Sequence, residues 1–429
     1  MQRLAAGEPA RVITVGPQDA DVIGADNRAI QIALDAMAQR GGGTVHIRPG
    51  TYVLSDSIQL RSHVQLTGDR RSTILQRAPV VRSILAVDAD VGQHQITPAD
   101  AGRFQAGMGL MLRGGQGGGQ QLPPLTVTRI EAGVLHTSNY VPANHSADTG
   151  FVVNYFAMIH GFDVEDAVVD GFTVEAGADD VTAIDDIRLG GVMLTRCRQC
   201  VVRNVTVSGA LGDGILAEPS QDISVERCEA FDNTHHGVHF GSHSPGARAI
   251  DCDLHDNGSD GLYLCWGVRS GIFRGNHVHA NGFHMHRNGI SLGHKDTDNL
   301  IEANDVHGNA KHGICFRTKT EANGAHRNVL RGNTIHDNGR PWHEVPAHLR
   351  EYERAELLYA GVFVNGITHN LRLEGNIIRE TRTGEQRLQV NAVYLGAGVT
   401  GVTMSDNIMA GQPGDAVVDE SGGTDHQLQ

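Results

Sequence analysis

The sequence predicts an all-β fold: a right-handed parallel β-helix, which is a solenoid of short stacked strands, with a helix capping its N-terminal end. Three observations support this prediction. Short strands that begin with glycine recur at a nearly constant step, two further sets of positions recur in step with them, and the composition suits many turns. The 429 residues include 54 glycines and only 5% aromatic residues, as expected for tight turns around a thin aliphatic core.

The strands that begin with glycine give the period. Successive starts are 23, 23, 24, 28, 24 and 48 residues apart, and the last step is two coils or one coil with an insertion. A single coil of this length buries almost nothing, so the coils must stack on one another. These strands begin at Gly191, Gly214, Gly237, Gly261, Gly289, Gly313 and Gly361.

Two further ladders run in step with the glycines, so we expect two or three strands in each coil. Asparagine tolerates left-handed backbone angles and bonds locally, and its recurrence predicts a repeated tight turn. One ladder is Asn204, Cys228, Cys252, Asn276, Asn304, Asn333, Asn376 and Asn407, and the other is Asn233, Asn257, Asn281, Asn309 and Asn338.

The segment 1–60 predicts the N-terminal cap and the first strands. Asp26 is placed to N-cap a helix from Asn27 to Gln39, and the glycines at 41–43 end it. We expect this helix to plug the first coil, because bare strand edges aggregate. Its apolar face is predicted at Ile30, Ile32, Ala33 and Met37.

The whole chain, residues 1–429, is predicted to form one β-helix domain. Residues 160–415 carry the regular coils, and residues 90–155 have the pattern of an irregular insertion of extra strands. Residues 340–358 interrupt the repeat and indicate a partly helical insertion over one face. Insertions in solenoids often cover a binding face.

Charge and hydropathy exclude several classes of partner. The net charge of −14 argues against binding nucleic acid or an anionic membrane. No apolar run approaches the ~20 residues that span a bilayer, and no charged-then-apolar leader is visible. Localisation therefore stays open between the cytoplasm and secretion with a leader removed.

The six cysteines predict buried apolar side chains. Cys197 and Cys200 form a C-x-x-C pair, but no second pair completes a zinc site. The histidines His255, His279, His307 and His336 recur at the coil spacing, so we interpret them as a structural ladder. Accordingly, no metal is predicted.

Strand alternation predicts which side chains face outward. Ionisable residues concentrate on this face between Asp213 and Lys319, which predicts the functional cleft. The outward column is Met193, Leu216, His239, Tyr263, Ser291, Cys315 and Phe363; the next is Thr195, Glu218, Gly241, Cys265, Gly293, Arg317 and Asn365; a third is Ser220, His243, Gly267, Lys295 and Lys319; and the column before the glycine is Asp213, His236, Asp260, Asn288 and His312.

Acids occupy the earlier coils of this face and bases the later ones. A basic cluster in an acidic protein predicts an oligosaccharide or polysaccharide substrate that bears carboxylates, because arginine pairs with carboxylate in a bidentate fork. The residues predicted to bind substrate are Asp213, Glu218, His236, His243, Arg287, His294 and Lys319.

The N-terminal helix, the following segment GGGTVHIRPGTYVL and the repeats together resemble the pectin-lyase-like superfamily of polysaccharide lyases, glycoside hydrolases and mannuronan epimerases. The resemblance covers nearly the whole chain and implies a monomer or homotrimer. Because several such lyases use Ca²⁺, it also makes an acidic segment a candidate calcium site, although a solvated loop is the simpler interpretation. Its acids are Asp179, Asp180, Asp185 and Asp186.

The first functional hypothesis is β-elimination or epimerisation of a uronate polymer, with lyase activity favoured. A cation neutralises the carboxylate, a base removes the neighbouring proton, and an acid such as tyrosine protonates the leaving oxygen. Strand spacing places Tyr263 and Arg317 ~10 Å apart along the stack. The predicted catalytic residues, similar to sets in β-helix lyases, are Tyr263, Lys295, Arg317, His239 and Asp260.

Two alternatives stay open. A glycoside hydrolase or intramolecular transglycosylase would use a carboxylate pair among Asp213, Glu218 and Asp260. Asp260 with Arg317-Thr318-Lys319 resembles polygalacturonase-type hydrolases, but His236 and Asn288 depart from that pattern. The other alternative is a carbohydrate-binding solenoid without catalysis.

Overall fold

The computed structural model describes residues 11–114, 124–177, 189–350 and 359–428. Helix α1 (Asn27–Gln39) has the predicted bounds, and the Asp26 side chain accepts the Ala29 N–H at 2.9 Å. Ile30, Ala33 and Met37 are buried as predicted, but Ile32 is 59% exposed, and Leu34 is buried instead. A second helix, α2 (Ala347–Arg350), lies in the described part of the predicted insertion at 340–358.

The rest of the described chain is predominantly short strands. The first fourteen are β1 (Val12–Gly16), β2 (Val22–Ile23), β3 (Gly43–Ile47), β4 (Gly50–Leu54), β5 (Ile58–Gln59), β6 (Val64–Arg77), β7 (Arg82–Ile84), β8 (Gln95–Ile96), β9 (Gly109–Arg113), β10 (Leu125–Glu131), β11 (Val134–Thr137), β12 (Phe151–Val153), β13 (Ile159–Phe162) and β14 (Val168–Glu175). The next thirteen are β15 (Gly190–Thr195), β16 (Val201–Arg203), β17 (Thr206–Ser208), β18 (Asp213–Ala217), β19 (Ser224–Glu226), β20 (Glu229–Phe231), β21 (Val238–Gly241), β22 (Arg248–Ile250), β23 (Asp253–His255), β24 (Leu262–Cys265), β25 (Ile272–Arg274), β26 (His277–His279) and β27 (Ile290–Leu292). The last are β28 (Leu300–Glu302), β29 (Asp305–His307), β30 (Ile314–Phe316), β31 (Val329–Arg331), β32 (Thr334–His336), β33 (Tyr359–Val364), β34 (Arg372–Glu374), β35 (Ile377–Arg379), β36 (Gln389–Leu395), β37 (Thr403–Ser405), β38 (Ile408–Ala410), β39 (Val417–Asp419) and β40 (Gln427–Leu428).

The chain divides into two compact units, Met1–Val174 with Gln199–Val205, and Glu175–Arg198 with Thr206–Gln429. In the first unit, β1 pairs in parallel with β3, and β3 and β4 both pair in parallel with β6. Helix α1 packs against these strands, in keeping with its predicted role as a plug.

The first unit also contains a separate antiparallel sheet, in the order β7-β12-β9-β10-β11-β8. It has its own buried core, which includes Phe104, Leu112 and Leu135. The sequence predicts an irregular insertion over 90–155. In the structure these extra strands form one sheet that begins at Arg82, and the β10–β11 pairing shifts register between Val127 and Arg129.

The second unit consists of three runs of parallel strands, so each regular coil contributes three strands. One run, which we call the cavity sheet, is β15, β18, β21, β24, β27, β30, β33, β36 and β39. A second run continues from β17 through β20, β23, β26, β29, β32, β35 and β38, and the third from β19 through β22, β25, β28, β31, β34, β37 and β40.

The two asparagine ladders are present, but they act through buried hydrogen bonds. In the first ladder, Oδ1 of Asn304 accepts both the backbone N–H and a side-chain N–H of Asn276. The second repeats this arrangement between Asn281 and Asn257. In several coils the left-handed residue precedes the asparagine, as Ala303 does with φ of 53°, so the expected backbone role falls on its neighbour.

The interior of the second unit is filled by the apolar residues that flank the outward column. Val238, Phe240, Leu262 and Leu264 have no exposed surface. None of the six cysteines, all of which are described, forms a disulfide, and all are buried except the partly exposed Cys265. Among the helices that the structure describes, none is long and apolar enough to cross a membrane.

Candidate active site

The cavity sheet places the predicted outward column in register. Each member lies opposite the next across a parallel strand pair, so the seven residues form one column; its first two members, Met193 and Leu216, are fully buried. The paired residues are Met193, Leu216, His239, Tyr263, Ser291, Cys315 and Phe363.

A cavity of about 910 Å³ opens on this sheet, within the size range of ligand sites. It is lined by eight of the predicted site residues, which the fold therefore brings together: Asp213, Glu218, His236, His239, Asp260, Tyr263, Arg287 and Arg317. The four that do not line it are His243, His294, Lys295 and Lys319.

These four residues lie at or beyond the ends of the strands, where alternation no longer holds. His243, His294 and Lys295 have φ values of 67°, 47° and 68°, which is left-handed backbone. The chain bends at these positions, so a side chain two residues beyond the strand no longer continues its column. Lys295 is exposed, and its predicted catalytic role gains no support from its position.

His239 is held by an acid on the preceding coil. Its Nδ1 lies 2.9 Å from Oδ2 of Asp213. Burial would raise the pKa of Asp213, but His239, together with His236 and His235, outweighs burial and lowers the pKa to about 2. Asp213 is therefore an anion that accepts a hydrogen bond from Nδ1–H of His239, and in the neutral form of that imidazole the lone pair is on Nε2. That Nε2 is buried with no hydrogen-bond partner among the described residues.

Glu218 reaches His239 by crossing a glycine. Its Oε2 lies 3.9 Å from Nε2 of His239 and accepts a hydrogen bond from Ser242 at 3.1 Å. A Cβ placed on Gly241 would overlap Oε2 of Glu218 and lie 2.9 Å from Nε2 of His239. The missing side chain at position 241 therefore leaves the space in which the carboxylate and the imidazole meet.

The Arg317 side chain extends over a second glycine, Gly293, and runs back along the stack toward the earlier coils. Its Nη2 donates to the Leu264 carbonyl at 2.6 Å, two coils back along the chain. A Cβ on the intervening Gly293 would lie 3.0 Å from Nε of Arg317. The guanidinium carbon stands 4.3 Å from the ring centre of Tyr263. The predicted separation of ~10 Å is therefore wrong for the side chains, because the arginine folds back over the glycine.

Tyr263 lies at the centre of the cluster. The His236 ring stacks on it with centres 4.0 Å apart, and the His239 ring meets it edge-on at 4.9 Å. Its hydroxyl donates to Sγ of Cys265 at 3.6 Å. Burial raises the pKa of the Tyr263 phenol well above its ordinary value, so the phenol stays protonated at neutral pH.

The column before the glycines is a hydrogen-bonded ladder. The side chain of each residue accepts the backbone N–H of the next coil: Asp213 from His236, His236 from Asp260, Asp260 from Asn288, Asn288 from His312, and His312 from Ala360. Nδ1 of His236 must therefore be unprotonated, and burial lowers the pKa of this imidazole to about 4.

Asp260 is committed to this ladder. It is 1% exposed, and its Oδ1 also accepts hydrogen bonds from the Asn288 amide and the Ser291 hydroxyl. Its Oδ1 therefore positions the neighbouring coil, and its Oδ2 lies 3.5 Å from Nδ1 of His236; these contacts give no support to the catalytic role predicted for it.

Three residues near the site escaped sequence reasoning. Asp296 accepts N–H bonds from Gly267 and Gly293 and lies 3.6 Å from Nη2 of Arg317. Burial raises the pKa of Asp296 to about 7. Trp266 and Lys311 line the cavity, and Trp266 is 56% exposed. All three lie outside the outward columns, so strand alternation could not predict them as site residues. Trp266 could have been noticed because tryptophan is rare in this sequence and this one directly follows a strand of the site.

One group of cavity residues has metal-ligating atoms that also take part in hydrogen bonds. Asp213, His236 and His239 bring ligand atoms within 4.8 Å of one another. However, each already serves a hydrogen bond: both oxygens of Asp213, Nδ1 of His236 and Nδ1 of His239 are engaged. The acids considered for calcium at 179–186 lie outside the described residues.

The family described as "Right handed beta helix region" matches residues 182–321 and 264–427, together more than half of the chain. The chain belongs to this β-helix family. The family described as "Rhamnogalacturonase A/epimerase, pectate lyase-like" matches residues 18–106 of this β-helix protein. No curated protein matches its sequence.

Solved structures share the fold at low sequence identity. The A-module of mannuronan C-5 epimerase AlgE4 from Azotobacter vinelandii superposes with a TM-score of 0.59 at 14% identity, covering 97% of this chain and 100% of that one. The DFA-IIIase of Arthrobacter chlorophenolicus A6 gives 0.55 at 11%, with coverage of 97% and 93%. The Dettilon tailspike protein gives 0.57 at 13%, with coverage of 94% and 68%.

Proposed function

We propose that this β-helix protein is a polysaccharide lyase that cleaves a uronate-containing glycan by β-elimination. One observation carries the proposal: a guanidinium, an imidazole with an unengaged ring nitrogen and a neutral phenol surround one cavity. These are the three groups that the reaction needs. A fold relative named for acting at C-5 of mannuronan supports a uronate as the substrate class.

Arg317 is the group that would neutralise the substrate carboxylate. Its Nε and Nη1 are buried without a hydrogen-bond partner among the described residues. The acid Asp296 stands 3.6 Å away, but burial raises the pKa of Asp296 to about 7, so its negative charge is incomplete at neutral pH. A carboxylate in the cavity would supply the missing charge and make the adjacent C–H more acidic.

His239 is the group that would remove the proton. Because Asp213 holds the Nδ1 proton at 2.9 Å, the Nε2 lone pair is available as a general base. On taking a proton the imidazole becomes a cation between two acids, Asp213 and Glu218, which lies 3.9 Å from Nε2. Both carboxylates would stabilise the charge that develops.

Tyr263 is the group that would protonate the leaving oxygen. In the balanced step, His239 takes the proton from C-5, the C–H electrons form the C-4 to C-5 double bond, and the C-4 to oxygen bond breaks. The Tyr263 hydroxyl gives its proton to the departing oxygen. Arg317, 4.3 Å from the ring centre, would stabilise the phenolate that results.

The positions of the acids weaken the hydrolase alternative. Hydrolysis needs two carboxyl groups facing one glycosidic bond. Asp213 and Glu218 instead approach the two nitrogens of the same imidazole, and Asp260 is engaged in the ladder. A binding function without catalysis would leave the unengaged Nε2 of His239 without a purpose.

The experiment is an activity screen over alginate, pectate, glycosaminoglycan and neutral glycans that records ultraviolet absorbance of new double bonds and new reducing ends. We expect double bonds from one uronate polymer and none from neutral glycans. Reducing ends without double bonds would indicate hydrolysis and overturn the proposal. If neither product forms from any glycan, the lyase proposal is also wrong; hydrogen exchange from solvent at C-5 would then indicate epimerisation.

A further inference from the structure

A grid of acidic and imidazole side chains lies away from the cavity, on the second run of strands. Two outward columns stand side by side because residues two apart on a strand point the same way. The strand pairs β23–β26 and β26–β29 set the register. One column reads Asp253, His277, Asp305, and the other reads His255, His279, His307.

His277 makes the middle strand different from its neighbours. Where the coils before and after carry an aspartate, this coil carries a second imidazole. Nε2 of His277 lies 2.9 Å from Nε2 of His307, and the rings of His277 and His279 have centres 4.1 Å apart. Three imidazoles therefore converge on a part of the surface where the neighbouring coils present one each.

We propose that His277, His279 and His307 bind a divalent first-row transition-metal ion such as Zn²⁺. One ring nitrogen from each lies within 4.8 Å of the others. Zn–N bonds of about 2.0–2.1 Å in a tetrahedral site place the ligating nitrogens ~3.3 Å apart, so the His277 and His307 nitrogens, now 2.9 Å apart, would separate slightly. The side chains of His277 and His279 are 44% and 23% exposed. An ion can thus enter from solvent and complete its coordination with water.

The surrounding acids orient the ligands. Oδ1 of Asp253 accepts a hydrogen bond from Nε2 of His279 at 3.2 Å and also lies 3.2 Å from Nδ1 of His277, so one carboxylate faces two of the three rings. Such a carboxylate behind a ligating histidine fixes the ring and raises its basicity. Asp305 lies beside His277 in register. Its Oδ1 is buried without a hydrogen bond among the described residues and lies 3.4 Å from Nε2 of His336.

The alternative is a metal-free hydrogen bond between the two imidazoles. With Nε2 of His277 as the acceptor, His307 would have to donate from its own Nε2. That arrangement explains the 2.9 Å contact but gives no role to the convergence of His279 on the same point. Zinc binding separates the two interpretations.

The test is equilibrium dialysis of the full chain against Zn²⁺, with bound metal measured by mass spectrometry and circular dichroism confirming the fold. We expect one zinc per chain. Affinity should fall at least ~10-fold in His277→Ala and in His307→Ala, and ~10-fold in Asp253→Asn. His277→Asn should behave like His277→Ala and retains polarity if alanine disturbs the strand. The exposed His284→Ala is the matched control and should bind as the parent does.

Two results would overturn the proposal. One is a parent protein that retains no zinc. The other is zinc that persists in both His277→Ala and His277→Asn but is lost in His239→Gln, which would place the ion in the cavity. Lyase activity is measured separately and does not depend on this outcome.

Discussion

Nδ1 of His239 lies 2.9 Å from Oδ2 of Asp213 on the preceding coil. This contact sets the tautomer of the imidazole and leaves Nε2 directed away from the acid. If Nε2 is the base, His239→Gln should reduce the rate of double-bond formation by at least ~10²-fold. Circular dichroism should be unchanged, and the exposed His284→Gln should keep full activity. Equal losses in the two variants would contradict the assignment.

Tyr263→Phe isolates the phenolic proton from the ring. The stack with His236 at 4.0 Å should survive, so the free energy of unfolding should stay within about 1 kcal/mol. We expect kcat on the polymer to fall by ~10²–10⁴-fold. A uronide with an activated aryl leaving group needs little proton donation, so its cleavage should be much less affected. Equal losses on both substrates would assign Tyr263 another role.

Gly293→Ala tests whether Arg317 depends on the vacant position beneath it. The new Cβ would lie 3.0 Å from Nε of Arg317, so the arginine side chain must move by a few tenths of an ångström from its present place over Tyr263. We expect kcat/KM for the uronate polymer to fall by roughly 10-fold, in line with the loss of a well-placed charged contact. Gly177→Ala, whose Cβ meets one atom at 3.9 Å, is the control and should keep its activity. An unchanged Gly293→Ala enzyme would remove Arg317 from the site.

His236→Asn tests the buried imidazole of the ladder. Burial lowers the pKa of His236 to about 4 from an ordinary 6.5, so the unfolded chain binds more protons between those values. The resulting stability is complete above pH 6.5 and is lost as pH falls toward 4, by a few kcal/mol at most. Asn288 occupies the equivalent position of the ladder on a later coil, where its Oδ1 accepts the His312 N–H. An asparagine at position 236 should therefore preserve the ladder. Urea unfolding should show a flatter pH dependence in the variant, and parallel profiles would contradict the assignment.

Asn304→Ala should destabilise the second unit strongly. Its Oδ1 accepts two N–H groups of Asn276, and its side-chain nitrogen donates to the Phe273 carbonyl and to Asn333. Removing it leaves buried donors and acceptors unpaired, at a cost of at least ~2 kcal/mol. Asn407 at the partly buried end of the ladder is the comparison, and alanine there should cost less. If urea unfolding showed a larger loss of stability for Asn407→Ala than for Asn304→Ala, the ladder hydrogen bonds would not be what stabilises the coils.

The fold is predictable from the sequence because the ladders repeat. Every coil must meet the same requirement for a turn and an inward apolar pair, so period and alternation alone place His239 and Tyr263 on one column. The same reasoning fails for His243 and Lys295, where left-handed residues end the alternation.

The details of the site depend on side-chain reach, which has no period. Arg317 approaches Tyr263 because Gly293 lies between them. A prediction based on strand spacing alone cannot include this contact. His277 escapes sequence reasoning for a related cause: it interrupts a column of acids once, and a single interruption is not a repeat.

The central claim is tested most directly by following double bonds and new chain ends together during digestion of the uronate polymer that the screen identifies. The proposed β-elimination predicts one double bond for each new chain end from the start of the reaction, and loss of both signals together in His239→Gln. Chain ends that accumulate without double bonds would contradict it.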